Sequence, residues 1–201
     1  MFGYNNTKEV AMKKIISIVL CLLATSICFA QVNQNLDGFW GIKWGADAET
    51  TRKIIEKKEN CKIEQINDEN ILCKGKFGGE DAYILFDFYN NELYSGFVVY
   101  PYEENKTLSN YNALKLNLTK KYGQPTKDVH DFAPPYYLGD GYEETAIKVN
   151  KALFFADWIF ADKNKLRLAI AKDLTIALIY QNTKILEIVS DAEHEKNMSD
   201  F

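Results

Sequence analysis

The chain has 201 residues, with 24 Lys+Arg against 28 Asp+Glu, a formal net charge of −4 and two histidines. That balance argues against the basic surfaces that hold nucleic acids and anionic membranes. The histidines, His130 and His194, lie too far apart in sequence to be the paired ligands of a zinc helix.

Taken in chain order, the first legible segment starts at Met12 and reads "MKKIISIVLCLLATSICFA". Lys13 and Lys14 make a charged start, Ile15 to Leu23 an apolar run, and Cys28-Phe29-Ala30 a small-residue ending. This is the pattern of a secretory signal peptide over residues 12–30, cleaved after Ala30. The apolar run falls short of the ~20 residues of a membrane span. Residues 1–11 are too polar to open a signal peptide. Lys8-Glu9-Val10 can be encoded as a purine-rich bacterial ribosome-binding sequence, which makes Met12 the expected start. Losing residues 1–30 removes Lys8, Lys13, Lys14 and Glu9, leaving a net charge of −6. No later apolar stretch reaches spanning length, so the expected mature chain is an exported one, periplasmic or extracellular, of one domain over 31–192 with a frayed tail at 193–201.

Two Trp-Gly steps, Trp40-Gly41 and Trp44-Gly45, precede a helix expected over 47–59, with Asp47 as its N-cap and Glu49 in its first turn. The tryptophans read as packing anchors at the helix entry. Cys61 and Cys73 flank "KIEQINDENIL", a turn between two short strands. In an exported protein such a pair reads first as a disulfide, with two free buried thiols as the alternative. Ile71 to Phe77 is a strand. In "DAYILFDFYNNELYSGFVVYPY", Ile84, Phe86 and Phe88 share one face, while Tyr83, Leu85, Asp87 and Tyr89 share the other. Asn90-Asn91 is the hairpin turn.

A second helix follows from Leu108, Tyr111, Leu114, Leu118 and Tyr122, closed by Gly123 and Pro125. After a long loop come the strands "ALFFADWIFAD", "KLRLAIAK" and "LTIALIY", then a helix from about Thr183. The halves match: Ile84/Phe86/Phe88 with Leu166/Leu168/Ile170, and Phe97 to Tyr100 with Ala177 to Tyr180. The expected fold is therefore α+β, an antiparallel sheet with helices packed on one face. It carries a tandem helix–β–β–β pattern over about 39–101 and 105–181.

Catalytic motifs are sparse. There is no G-x-S-x-G elbow and no phosphate-binding glycine loop, since "GKFGGED" lacks the G-K-[ST] ending. His130, between Asp128 and Asp131, reads as a solvated loop residue. Asp87 and Asp157 are the two acids set inside strongly apolar strands. If buried, each needs a partner such as Arg167 or a raised pKa. The segment Gly123 to Glu144 carries three of the four prolines, with Phe132, Tyr136, Tyr137 and Tyr142 among acidic residues. Rigid aromatics on such a loop make efficient contacts, and equally they could pack over one end of the sheet. No cofactor and no metal site is expected, as "DGYEE" has too few ligands for a calcium loop.

The helix entry "WGADAETTRKII" and exit "LNLTKKYGQPT" resemble those of a diffuse group of small exported bacterial proteins with a WG-x-S/D entry and a K-Y-G-x-P exit. The tandem layout also resembles beta-lactamase-inhibitor-protein-like and outer-membrane-assembly-lipoprotein folds, whose repeats begin with two helices where this chain shows one. The resemblance implies binding of a protein or another envelope component. Three expectations follow. A non-catalytic binding module needs an exposed sheet face or an exposed patch of Phe132, Tyr136, Tyr137 and Tyr142. An envelope hydrolase needs Asp87 and Asp157 within about 5–10 Å of each other. A small-ligand carrier needs a cavity beside Trp158.

Overall fold

The computed structural model describes residues 34–101, 103 and 105–199, which fall within one compact unit, Asn33–Phe201. The expected signal peptide and the extension before it lie outside the described residues. Chain order is β1 (Gly38–Phe39), β2 (Ile42–Lys43), α1 (Ala48–Glu56), β3 (Cys61–Ile66), β4 (Asn70–Phe77), β5 (Glu80–Tyr89) and β6 (Glu92–Tyr100). Then follow α2 (Thr107–Tyr122), β7 (Lys127–Phe132), α3 (Glu143–Lys148), β8 (Ala152–Ile159), β9 (Lys165–Ile170), β10 (Ile176–Gln181) and α4 (Thr183–Ser199).

Strands β3 to β10 form one antiparallel sheet in the order β3-β4-β5-β6-β10-β9-β8-β7, and β1-β2 form a separate small hairpin. The α+β reading holds. Each half, however, contributes four strands rather than three, because β3 and β7 are added at the two outer edges. The halves meet where β6 pairs with β10, and there Val98 lies opposite Leu178, its counterpart in the sequence match. On the neighbouring strands that match is two residues out of step. Phe86 lies opposite Gly96, whereas the position equivalent to Gly96, Ile176, lies opposite Ile170 rather than Leu168. Counted from the matched residues the two hairpins close alike, Phe86 pairing with Gly96 and Leu168 with Leu178, ten residues on in each, so it is the match of Phe97–Tyr100 with Ala177–Tyr180 that is two residues out.

One face of the sheet carries the core. Ile84, Phe86, Val98, Leu178, Leu166, Leu168, Ala156 and Trp158 are buried there against Ile55 of α1, Tyr111 and Leu118 of α2, and Ile147 of α3. Asp47 caps α1 by accepting from the backbone N–H of Thr50 at 2.6 Å, which fixes the start of a helix whose buried side is Thr51 and Ile55. The β1-β2 hairpin fills the middle of the same face. Phe39 stacks among Phe86, Phe77 and Tyr180, directly over Gly96, where a Cβ would sit 2.1 Å from the ring. Trp44 donates its indole N–H to the carbonyl of Leu36, and Lys58 lies 4.5 Å over the ring of Trp40. Both tryptophans pack against the core as partly buried anchors.

The stretch after Gly123 is shorter as a loop than its proline content predicts. Lys127–Phe132 pairs with β8 as an edge strand, and Glu143 opens α3, so the true loop is 133–142. The disulfide Cys61–Cys73 is formed, with Cα atoms 6.0 Å apart, and ties β3 to β4. Among its described side chains helix α4 contributes none to the core cluster. Its buried Val189 shares a cleft with Asp87 and Tyr94, and its backbone continues to Ser199, past the tail boundary expected at Glu193.

Candidate functional site

Because successive side chains of a strand point to opposite faces, the sheet presents a second surface that lies outside the core cluster. Two adjacent cross-strand rows define it. The first runs Tyr83, Val99, Ala177, Ala169, Phe155 and Val129 through β5, β6, β10, β9, β8 and β7, each residue directly opposite the next. The second runs Leu72, Leu85, Phe97, Ile179, Arg167, Asp157 and Lys127. The first row is apolar from end to end across six strands, about 24 Å at the usual strand spacing. Apart from buried Phe155 and exposed Tyr83, its members are half-buried. Ala177 and Ala169 sit side by side at its centre, between Val99 and Phe155, and form a shallow trough. Helix α4 reaches the Asp87 end of this face, where Val189 shares a cleft with Asp87 and Tyr94; the two rows are left to water unless something docks there.

Asp157 belongs to the second row and is 6 % exposed. Its carboxylate accepts two hydrogen bonds from Arg167, at 2.6 and 2.7 Å. The carboxylate holds the Arg167 guanidinium above its usual pKa. Arg167 also lies 4.5 Å over the ring of Phe155, and Lys127 lies 5.1 Å over that ring. The acid is thus neutralised by a fixed fork rather than free to act.

Asp87 lies on the same face but in the next row, opposite Ser95. Four strand spacings separate its strand from that of Asp157, roughly 19 Å, so the two carboxylates do not share a reaction centre and the hydrolase geometry is not formed. Asp87 instead borders a cleft of about 1220 Å³ between the β5-β6 turn, α1 and α4, with Tyr89, Tyr94, Asn70 and Val189 around it. Burial alone pushes its carboxyl up to about 6.

The tyrosine loop is organised from within. Asp140 accepts from the backbone N–H groups of Tyr137 and Tyr142, and Glu143 accepts from that of Gly139. Glu144 reaches across to the N–H of Thr107 at the start of α2. The acids are turned inward on loop amides, and Tyr137 and Tyr142 stand 65 % and 63 % exposed beside exposed Leu138. Tyr136 is half-buried, and Phe132 packs edge-on against Phe154 at the margin of the core. The four aromatics therefore divide, Tyr137 and Tyr142 exposed and Phe132 and Tyr136 partly packed.

His130 is not a solvated loop residue. It stacks on Phe154 at 4.9 Å and meets Lys115 and Asp128, which pair with each other at 2.9 Å. Burial, and then the charge of Lys115, hold its imidazole below the usual pKa. These groups clasp α2 to β7. Trp158 is 3 % exposed within the core and donates its indole N–H to the carbonyl of Gly123. Trp158 is thus a core side chain and does not line the cleft beside Asp87. Among the described residues no group of three or more His, Cys, Asp or Glu is placed to hold a metal ion, and no helix is long and apolar enough to cross a membrane.

The sheet-face residues Val99, Ala177, Ala169 and Phe155 were not expected from catalytic motifs. The signal that marks them is the near-continuous apolar run of "FVVY", "IALIY" and "ALFFADWI", which requires apolar residues on both faces of these strands. Comparison with protein-family models, with curated proteins and with solved structures returned no match.

Proposed function

We propose that the protein is an exported, non-catalytic binding module of the bacterial cell envelope, and that it receives a protein partner on the open face of its sheet. The observation that carries the reading is the uninterrupted apolar row from Tyr83 to Val129, opposite a face already filled by helices. The signal-peptide pattern supports export, and the Cys61–Cys73 bond suits an oxidising compartment. The exposed pair Tyr137 and Tyr142 adds a second contact at the β7 side of the sheet.

The test is recovery of partners from envelope extract by the wild-type chain, by Ala169→Glu, and by a chain whose residues 133–142 are replaced with Gly/Ser. Loss with Ala169→Glu is expected, because a carboxylate in the trough cannot be desolvated without a partner. Equal recovery by that variant removes the sheet face from the reading. Equal recovery by the loop replacement removes only the tyrosines.

A further inference from the structure

The two rows of the open face are apolar in their middle and, among the described residues, carry unpaired lysines at their ends. At one end Lys62 of β3 stands directly opposite Lys74 of β4, and Lys74 lies 5.4 Å over the ring of Tyr83. At the other end Lys127 lies 5.1 Å over the ring of Phe155, whose second cation, Arg167 of β9, is already paired with Asp157. Within the two rows the one carboxylate is Asp157, and both its oxygens are taken by Arg167. Like charges directly opposite each other cost stability, and among the described residues no anion is paired with Lys62, Lys74 or Lys127. In a chain of net charge −4, the two rows thus keep their lysines unpaired and their one acid neutralised, while the other acids of this face, Asp81, Asp87 and Asp131, lie outside the rows.

Resting on the reading that this face is a docking surface, we propose that its occupant is an acidic polypeptide segment, with an apolar stripe in its middle and carboxylates towards both ends. The stripe fits the trough of Ala177 and Ala169 between Val99 and Phe155, and the carboxylates reach Lys62/Lys74 and Lys127. Lys74 and Lys127 are six strand spacings apart, about 29 Å. That distance fits a helix of about 19 residues or an extended segment of about nine. A nucleic acid needs cations all along its backbone, whereas the middle of this face has only Arg167, already paired with Asp157.

The test is a displayed library of random 20-residue peptides panned on the immobilised chain, followed by titration of the enriched peptides as synthetic ligands. The expected result is enrichment of sequences acidic at the ends and apolar between. Their affinity falls about tenfold for Lys74→Glu/Lys127→Glu and weakens with salt, as for exposed charge pairs. Both lysines are exposed, and a thermal melt checks that the variant folds. Peptides that lose binding to Ala169→Glu but ignore the lysine reversals would overturn the acidic partner and leave the open face standing. Tyr83→Ser gives the same readout should Ala169→Glu fail to fold. Peptides indifferent to both face variants, or no enrichment, would overturn the docking surface itself. Enrichment of basic peptides would overturn the acidic partner. So would lysine-dependent binding to phosphatidylglycerol/phosphatidylcholine vesicles without peptide enrichment.

Discussion

Asp87→Asn should stabilise the protein at neutral pH and leave it unchanged in acid. Asp87 is half-buried beside the cleft under α4, and burial alone raises its pKa from 3.8 to about 6. A group raised on folding contributes stability that is complete below its unfolded pKa and is lost as pH rises through the folded one. The loss therefore falls between about pH 4 and pH 7. Full conversion of the shift would give ~3 kcal/mol. The carboxyl keeps some contact with water, which reduces this to about 1–2 kcal/mol. Asparagine keeps the shape and carries no charge, so the penalty disappears. Thermal melts followed by circular dichroism should show equal Tm values near pH 4. By about pH 8 the variant should be higher by about 3–6 °C. Glu49, Asp68 and Glu69 line the same cleft, but they are present in both proteins and cancel in the difference. A variant that melts lower at pH 8, or a difference that does not change with pH, would refute the reasoning.

Gly96→Ala should cost about 2–3 kcal/mol, because the new Cβ meets the buried ring of Phe39 at 2.1 Å; denaturant titration measures it. Arg167→Met should cost about 3 kcal/mol by leaving the Asp157 carboxylate buried and unpaired, and adding Asp157→Asn should restore most of the loss. A double variant as unstable as the single one would contradict this. Reduction of Cys61–Cys73, or Cys73→Ser, should lower stability by about 3 kcal/mol through the short loop it releases, read as a drop in denaturant midpoint against the oxidised chain.

Much of the architecture was legible because it is local. The stripe of Leu108, Tyr111, Leu114, Leu118 and Tyr122 became α2 with Gly123 at positive φ after it. Asn90 and Asn91 both adopt the positive φ that a two-residue hairpin needs. The Cys61–Cys73 pair was legible from its spacing and the expectation of export. What was not legible is non-local or disguised. β7 carries Lys127, Asp128 and Asp131, the charges that protect an edge strand, and these erase the alternating apolar pattern by which strands are found. The junction of β6 with β10 joins residues about eighty positions apart. Alternation placed Tyr83, Leu85 and Asp87 on one face, but which face is covered depends on where the helices fold back. Asp87 and Asp157 were each expected, if buried, to need a partner such as Arg167 or a raised pKa; Asp157 has the partner and Asp87 the raised pKa.

The central claim is that the open sheet face, and not the helical side, receives a partner. In-cell photocrosslinking tests it most directly, with a photoreactive phenylalanine analogue placed at Phe97 or Val99 on the open face, or at exposed Leu116 on α2. The account predicts a discrete protein adduct from Phe97 and Val99 and none from Leu116. An adduct from Leu116 with none from the two sheet positions would contradict it.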